Sequence, residues 1–329
     1  MLTQKPEGAK GGHRPAASRT PVRVDQLTCF FQGDYVPLGD AKIGIMTSAF
    51  MYGTAVFEGI RAYWNADDHV LYGLRFREHM ERLRRNAGIL LMTGLPPIDE
   101  LVRIAVELCR RNGFQEDVYI RPAIYKSGTA VGVKLHGMPH DICVFAVPFG
   151  NYVDVDKGIT MMTSTWRRNP DDAIPARGKI TGGYVNMAFQ KTEAELNGYD
   201  EALVLTQDGS ASEASAANFF IVRDGVLITP PTTDDILEGI TRTGVFEIAA
   251  ALGIPTVERS VDRSEIYVAD EMLLCGTGVQ LAPVVELDHR PIGGGIVGPI
   301  SREIHDTYFA AVRGQDKRFR HWLTPIPTG

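Results

Sequence analysis

Apolar residues recur with helical spacing in five segments of the chain. An apolar residue every three to four positions predicts helices over FREHMERLRRNAGILL (76–91), IDELVRIAVELCRRNG (98–113), YVNMAFQKTEAELNG (184–198), TRTGVFEIAAALG (241–253) and SREIHDTYFAAVRG (301–314). Gly113 and Gly253 close two of these segments, where helix C-caps favour a residue with positive φ. The polar positions between the apolar ones place one face of each helix in solvent.

A second pattern, alternation with β-branched residues, predicts strands between the helices. It is clearest in DICVFAVPF (141–149), DEALVLT (200–206) and NFFIVRDGVLIT (218–229), where Asp224 and Gly225 predict a hairpin turn. Strands outnumber those of a simple βαβ repeat. The pattern therefore predicts a mixed α/β (α+β) fold rather than a doubly wound parallel sheet.

The chain is long enough for two domains. It has 329 residues, of which 44% are hydrophobic, and a chain of this length usually divides into more than one core. The polar stretch FGNYVDVDKG predicts an interdomain loop at 151–156, between an N-terminal domain at 24–150 and a C-terminal domain at 157–329. Residues 1–23, rich in Gly, Pro and charge, are predicted to be a disordered tail, with a transit peptide as the weaker alternative.

Composition and charge exclude several classes of function. The net charge of −6, with its basic residues scattered, gives no footprint for nucleic acid. No run of eighteen apolar residues predicts a membrane span, and the N-terminus lacks the apolar segment of a signal peptide. The four cysteines and eight histidines are dispersed, so we expect reduced thiols and no metal site. The cytoplasm is the default location.

Candidate chemistry begins with Lys179, which lies among small residues in GKITGGYVN (178–186). A surface lysine needs no such neighbours, whereas a lysine that approaches a ligand benefits from them. Glu213 is likewise the one acid in SASEASAANFF, although a solvated loop carboxylate would explain it equally well.

Two further segments have features that suit phosphate. The predicted helix after Gly239 offers unpaired backbone N–H groups, and CGTG (275–278) permits close backbone approach beside a threonine hydroxyl. Taken alone, each is equally compatible with an ordinary helix start or a tight turn. A lysine, a carboxylate and two phosphate-compatible segments together are what pyridoxal phosphate requires.

The run EASAANFFIVRDGVLITPPTTDDILEGITR (213–242) resembles the signature of the class IV pyridoxal-phosphate aminotransferases. The flanking segments YGTAVFEGIR, FREHMERL, YIRP and GPIS resemble the branched-chain aminotransferases within that class. The resemblance extends from about Val24 to the C-terminal HWLTPI. It implies a two-domain fold of type IV, with a smaller N-terminal α/β domain and a larger C-terminal domain that has a barrel-like β core.

The resemblance also implies roles for individual residues. Lys179 corresponds to the Schiff-base lysine, Tyr184 to the tyrosine near the cofactor's phenolic oxygen, and Glu213 to the partner of the pyridine nitrogen. The residues expected to bind the phosphate are Ile240 and Thr241 through their backbone, Thr277, and Arg82.

Substrate-binding roles follow in the same way. Tyr119 and the backbone near Gly278 are expected to receive the α-carboxylate, and Arg121 a second carboxylate. Tyr119 and Arg121 alternate with apolar residues in VYIRP, so on a strand they share one face. The expected apolar pocket wall consists of Tyr52, Phe57, Val131, Val133, Phe149 and Tyr152, most of which would otherwise be read as core.

The implied activity is ping-pong transamination of L-leucine, L-isoleucine and L-valine with 2-oxoglutarate by a homodimer whose pocket residues cross the interface. The family often has a glutamate directly before the asparagine of the signature, where this chain has Ala217. That departure bears on the substrate preference of the pocket and not on the cofactor chemistry. Three alternatives to the branched-chain reading stay open: a D-amino-acid or (R)-amine transaminase, an aminodeoxychorismate lyase, and a cofactor-binding module without turnover, which the intact lysine, glutamate and tyrosine argue against.

Overall fold

The structure, a computed structural model, describes residues 23–150 and 157–327 of the chain. The predicted disordered tail, apart from Arg23, and the predicted interdomain loop lie outside the described residues.

All five predicted helices are present, and two short α-helices accompany them. The α-helices of the described residues are α1 (Ser48–Tyr52), α2 (Phe76–Ile89), α3 (Ile98–Asn112), α4 (Tyr184–Leu196), α5 (Ile240–Leu252), α6 (Arg263–Ile266) and α7 (Pro299–Val312). In α3, the predicted apolar face is buried, acidic residues occupy the first turn and arginines the last, and Gly113 caps the end at φ 61°.

The strands are short and numerous. In chain order they are β1 (Thr28–Phe31), β2 (Asp34–Pro37), β3 (Ala55–Phe57), β4 (Ile60–Asn65), β5 (Val70–Leu74), β6 (Val118–Lys126), β7 (His140–Pro148), β8 (Ile159–Thr163), β9 (Glu201–Leu205), β10 (Ala211–Ala214), β11 (Asn218–Arg223), β12 (Val226–Thr229), β13 (Thr256–Glu258), β14 (Glu271–Gly276), β15 (Gln280–Leu287), β16 (Arg290–Pro291) and β17 (Leu323–Pro327). The predicted hairpin joins β11 to β12, with Asp224 and Gly225 at positive φ.

These strands form two sheets, which confirms the mixed fold class. The first has the order β17-β5-β4-β6-β7-β1-β2, with β3 beside β6. The second has the order β10-β9-β8-β15-β14-β11-β12-β13, with β16 beside β15, and it curls into a half-barrel. Most pairings are antiparallel, while β8 is parallel to both β9 and β15.

Each sheet has its own apolar core. In the first, α2 and α3 bury residues such as Met80, Leu83 and Leu108 against the strands. In the second, one face encloses a core that includes Met161 and Phe219, while the other packs against α5 and α7. A third apolar cluster joins Tyr63 and Leu74 of the first sheet to residues such as Phe220 of the second. The division of the chain into domains at 24–150 and 157–329 stays a prediction.

One strand departs from that sequential division. β17, from the C-terminal end of the described chain, pairs antiparallel with β5 in the first sheet. The preceding residue is anchored too, because the Trp322 carbonyl accepts from the Arg75 backbone N–H at 2.7 Å and the Arg75 guanidinium lies 4.4 Å from the Trp322 ring centre. The Trp322 indole N–H also donates to Glu247 on α5 at 2.7 Å, so the C-terminal segment connects the first sheet to a helix that packs on the second.

Candidate active site

A cavity of about 190 Å³ lies between the two sheets. The first sheet contributes side chains from β3 and β6, and the second contributes the start of α5 and the turn between β14 and β15. Several residues of the segment 174–187 line it as well. The segment that contains Lys179 is held against the first sheet, because the Lys179 carbonyl accepts from the Phe57 backbone N–H at 3.1 Å.

Lys179 directs its amine into this cavity. Its Nζ donates to the Tyr184 hydroxyl at 2.7 Å and lies 5.1 Å from the centre of the Phe57 ring. Tyr184 is the first residue of α4 and packs its ring 4.8 Å from that of Phe57. The small residues TGG before α4 pack closely against the turn at Gly53: a Cβ on Gly53 would lie 2.5 Å from the Gly182 Cα.

Glu213 is buried and lines the same cavity. One carboxylate oxygen pairs with the Arg168 guanidinium at 2.6 Å, and the other accepts from the Asn218 amide at 2.8 Å and from the Leu237 backbone N–H at 3.2 Å. Burial raises the pKa of Glu213, and the positive charge of Arg168 opposes that rise. The three donors hold the carboxylate in one orientation.

Arg82 on α2 reaches the cavity through a buried ion pair. Its Nε and one terminal nitrogen both donate to Glu58, each at 2.7 Å, and His79 hydrogen-bonds the same carboxylate at 2.8 Å. Burial alone would raise the pKa of Glu58, but the Arg82 charge and the hydrogen bonds from Arg82 and His79 lower it to about 2. A third bond runs to the Glu238 carbonyl at 2.6 Å. Since a guanidinium has five N–H donors, two stay available for an anion.

The start of α5 supplies backbone donors. The first N–H groups of a helix have no partner within the helix, so those of Ile240 and Thr241 can face a ligand. Gly239 precedes them, and a Cβ at that position would lie 1.9 Å from the Asn218 side-chain oxygen. Only glycine therefore fits between the α5 N-terminus and the amide that holds Glu213. Thr277, in the turn after β14, lines the same part of the cavity.

Two polar side chains of β6 form the substrate side of the cavity. The Arg121 guanidinium donates to the Tyr119 hydroxyl at 2.7 Å, which confirms that the two residues share a face. Arg121 also lies 4.4 Å from the centre of the Phe57 ring, while its buried Nε has no hydrogen-bond partner. A buried donor without a partner is costly, so this site favours a ligand that brings an acceptor.

The cavity brings together eleven of the sixteen residues predicted from the sequence, namely Phe57, Arg82, Tyr119, Arg121, Lys179, Tyr184, Glu213, Ile240, Thr241, Thr277 and Gly278. Their individual roles stay predictions.

Of the other five predicted residues, the four that the structure describes do not line this cavity. Phe149 packs 5.5 Å from the Tyr119 ring and lines a larger neighbouring cavity of about 940 Å³. Val131 and Val133 are 86% and 83% exposed, and the Tyr52 hydroxyl accepts from the Gly132 backbone N–H at 3.3 Å. Tyr152 lies outside the described residues. A pocket wall built from Tyr52, Val131 and Val133 is therefore absent from a single described chain.

Several residues that shape the site carry no predicted role. Arg168 orients Glu213, Asn218 bonds both Glu213 and the Leu237 carbonyl, and Glu58 holds Arg82. The sequence could have pointed to Glu58. It is an acid within the apolar run AVFEGI, so it would be buried in a strand and would need a charged or hydrogen-bonding partner. Arg168 has no comparable signal, because in the sequence it is one of two adjacent arginines before a loop.

Residues 23–150 and 157–327 contain neither a metal-binding cluster nor a membrane-spanning helix. Within these ranges no three His, Cys, Asp or Glu side chains cluster so that they could hold a metal ion. No helix in the same ranges is long and apolar enough to cross a membrane. The cytoplasmic location stays a prediction.

Comparison with known proteins identifies the family. A sequence profile of class IV aminotransferases matches residues 55–287. The chain is 47% identical over 298 residues to a probable branched-chain-amino-acid aminotransferase of Aquifex aeolicus, a match covering 90% of this chain and 96% of that protein.

Solved structures agree. The branched-chain aminotransferase of Thermoproteus uzoniensis with norvaline superposes with a TM-score of 0.87 at 41% identity, covering 91% of this chain and 99% of that one. The T.th. branched-chain amino acid aminotransferase complexed with N-(5'-phosphopyridoxyl)-L-glutamate gives 0.87 at 37% identity, covering 92% and 99%. The chain belongs to the class IV aminotransferase family.

Proposed function

We propose that this protein uses pyridoxal phosphate to transfer the amino group of L-leucine, L-isoleucine or L-valine to 2-oxoglutarate in two half-reactions. The observation that carries the proposal is the convergence of Lys179 and Glu213 on one cavity that Arg121 also lines. A reactive amine, a fixed carboxylate and a free donor for an acidic substrate serve this reaction together.

The donors around the cavity fit the cofactor. The α5 N-terminus, Thr277 and the two remaining N–H groups of Arg82 would hold its phosphate, and Glu213 would face its ring nitrogen. The Tyr184 hydroxyl would lie beside the phenolic oxygen. When bound, the cofactor supplies an aldehyde that accepts the amino group and a ring that withdraws electrons from the substrate Cα.

Lys179 is the proposed acid–base group. Its Nζ would hold the cofactor covalently at rest. Once the substrate amine has displaced it, the neutral Nζ would take the proton from the substrate Cα and deliver it to the C4′ carbon of the cofactor. The hydrogen bond to Tyr184 at 2.7 Å fixes where that nitrogen lies. Positioning to within hydrogen-bonding distance is a requirement for such proton transfer.

Glu213 provides the electrostatic support. A negative carboxylate next to the ring nitrogen favours the protonated ring. Arg168, Asn218 and the Leu237 amide keep the carboxylate from turning away. Because these donors are preorganised, no rearrangement is needed when charge develops.

Substrate recognition would divide between polar and apolar groups. The Tyr119 hydroxyl and the backbone at Gly278 would receive the α-carboxylate, while Phe57 would pack against an aliphatic side chain. Arg121 would turn its free donors to the second carboxylate of glutamate. The T.th. relative, solved with a phosphopyridoxyl derivative of L-glutamate, supports a site that accepts this amino acid.

We infer in addition that the active form is a homodimer. Ile45, Phe50, Val131 and Val133 each expose between 65% and 86% of their area. Exposed apolar surface of this kind commonly marks an interface. In a dimer Tyr52, Val131 and Val133 could complete the partner's pocket. Sedimentation should show a species of twice the 36.1 kDa chain mass; a fully active monomer would contradict this inference.

A panel of amino donors tests the substrate assignment. We expect L-leucine to aminate the cofactor faster than D-alanine, (R)-1-phenylethylamine or aminodeoxychorismate, with broad tolerance among aliphatic side chains because one methylene is worth only about 1–3 kcal/mol. Faster amination by D-alanine or the (R)-amine would reject the branched-chain assignment. Release of pyruvate from aminodeoxychorismate without amino transfer would favour a lyase.

The same assay tests Arg121. Arg121→Ala should slow the glutamate half-reaction about 10- to 100-fold more than the leucine one, because a hydrogen bond to a charged group contributes about 1.5–3 kcal/mol. Arg103→Ala on the exposed surface of α3 is the control. An equal decrease in the amination rate with both donors would show that Arg121 does not bind the second carboxylate of glutamate.

A further inference from the structure

Asn86 is a buried amide within helix α2. It is 3% exposed, although asparagine is a poor helix former. Buried polar side chains are nearly always hydrogen-bonded, and only one orientation of this amide satisfies both of its ends. In that orientation Nδ2 donates to the Arg177 carbonyl at 3.1 Å, and Oδ1 accepts from the Lys179 backbone N–H at 3.1 Å. Asn86 therefore binds the backbone on both sides of Gly178.

The segment that contains Lys179 lies close to α2 at a second point. A Cβ on Gly178 would lie 3.3 Å from Cδ1 of Ile89, the last residue of α2. Asn86 and Ile89 are three positions apart, so they lie on the same side of the helix. The C-terminal half of α2 is thus the surface on which this segment rests.

Both backbone groups of Lys179 are hydrogen-bonded to other elements. Its N–H donates to Asn86 on α2, and its carbonyl accepts from the Phe57 N–H on β3 at 3.1 Å. At the far end of the side chain, Nζ donates to the Tyr184 hydroxyl at 2.7 Å. The lysine is therefore fixed both where its side chain starts and where it ends.

The helix that holds the Lys179 backbone also carries Arg82. Arg82 and Asn86 are four positions apart, so their side chains share one face of α2 about 6 Å apart along its axis. Arg82 lines the cavity, whereas Asn86 does not. A rigid helix thus sets the spacing between the proposed phosphate contact and the backbone of the proposed Schiff-base lysine.

We propose that Asn86 is a positioning residue that holds the Lys179 backbone on α2, at a fixed distance from the phosphate contact of Arg82. The inference rests on the proposed function for the identity of the cofactor. Asn86 acts through the lysine backbone, so its effect is confined to steps in which the Lys179 amine takes part.

The first experiment compares two forms of the cofactor in binding to the apoprotein. In Asn86→Ala, the dissociation constant for pyridoxal phosphate, which bonds to the lysine, should rise about tenfold, because misplaced groups react poorly. The constant for pyridoxamine phosphate, which cannot form that bond, should change less than about threefold. Equal weakening of both forms would overturn the proposal.

Asn112→Ala is the matched control for this comparison. At the end of α3, the Asn112 side chain accepts from the Thr28 N–H at 2.8 Å and donates to the Thr28 carbonyl at 2.9 Å, away from the cavity. It therefore makes the same pair of bonds to a backbone segment without contacting Lys179. We expect wild-type affinity for both cofactor forms; the selective loss seen in Asn86→Ala, if it appeared here too, would contradict the proposal.

A double-mutant cycle tests whether Asn86 acts through the lysine. Asn86→Ala should slow single-turnover amination by L-leucine about 10- to 100-fold in the wild-type background. In the Lys179→Ala background, the same change should slow the residual reaction less than about twofold, because the group that Asn86 positions is gone. An equal decrease in both backgrounds would reduce Asn86 to a structural role.

Hydrogen exchange in the apoprotein needs no cofactor. The Lys179 amide should exchange at least about tenfold faster in Asn86→Ala, since it loses its acceptor. The Ile120 amide, in the middle of β6, should be unchanged. Acceleration at Lys179 and Ile120 alike would indicate a general loss of stability and overturn the proposal.

Asn86→Asp keeps the proposal testable if Asn86→Ala does not fold. An ionised aspartate retains the acceptor for the Lys179 N–H but loses the donor to the Arg177 carbonyl. Pyridoxal phosphate binding should therefore weaken by less than tenfold, and still by more than pyridoxamine phosphate binding. Equal weakening of the two would contradict the proposal. Failure of the wild-type enzyme to use L-leucine would instead reject the proposed function, without changing the cofactor-binding and exchange results.

Discussion

Replacing Lys179 by alanine is expected to reduce amino transfer from L-leucine by on the order of 10⁴-fold or more, since a general acid–base group alone contributes up to about 10⁴. The variant loses both the covalent attachment of the cofactor and the proton carrier. Single-turnover amination, followed by the cofactor absorbance, measures the loss. Lys317→Ala, on the exposed surface far from the cavity, should retain wild-type rates.

Chemical trapping tests the same residue in the unaltered enzyme. The purified holoenzyme should be yellow, and borohydride should fix the cofactor covalently to one lysine. Peptide mapping is expected to identify Lys179, whose Nζ points into the cavity beside Tyr184. Attachment to a different lysine would reject the assignment and the roles built on it.

Glu213→Gln should slow the same half-reaction by about 10²-fold or more, as expected when a preorganised electrostatic partner is lost. Cofactor binding should persist, because the phosphate contacts on α5, Thr277 and Arg82 are untouched. The substitution leaves the buried Arg168 without its carboxylate, so the thermal midpoint is measured alongside the rate.

Glu247→Gln is the control for the loss of stability that follows when a buried arginine loses its carboxylate partner. Glu247 pairs with the buried Arg75 at 2.5 Å and accepts from the Trp322 indole N–H at 2.7 Å, outside the cavity. It should lower stability without slowing amination. A Glu213→Gln enzyme that aminates at nearly the wild-type rate would show that another group faces the ring nitrogen.

The sequence predicts the long elements of this fold well because their signals are local. The apolar spacing of α2, α3, α4, α5 and α7 is intact over three or more turns. Strands such as β3 and β16, with three and two residues, are too short for alternation to reveal them. The pairing of β17 with β5 depends on tertiary contact and has no local signature.

The residues of the candidate site also differ in whether a local sequence pattern reveals them. Residues within a dense motif, such as Lys179 and Glu213, could be predicted because the motif as a whole resembles a family. The groups that orient them could not, since Arg168 and Glu58 are distant in sequence from the residues they hold. For Val131 and Val133 the resemblance predicted more than one chain shows: it placed them in a pocket wall, whereas in the single chain they are exposed and do not line the cavity.

The pairing of β17 with β5 has a consequence for biosynthesis. Until residues 323–327 leave the ribosome, the nascent chain presents β5 as an open edge strand that could pair with another polypeptide. Once β17 docks, Pro325 and Pro327 lie on the new edge, and proline lacks the N–H that a further strand would need. Docking of β17 thus replaces an open edge with one that resists further strand pairing.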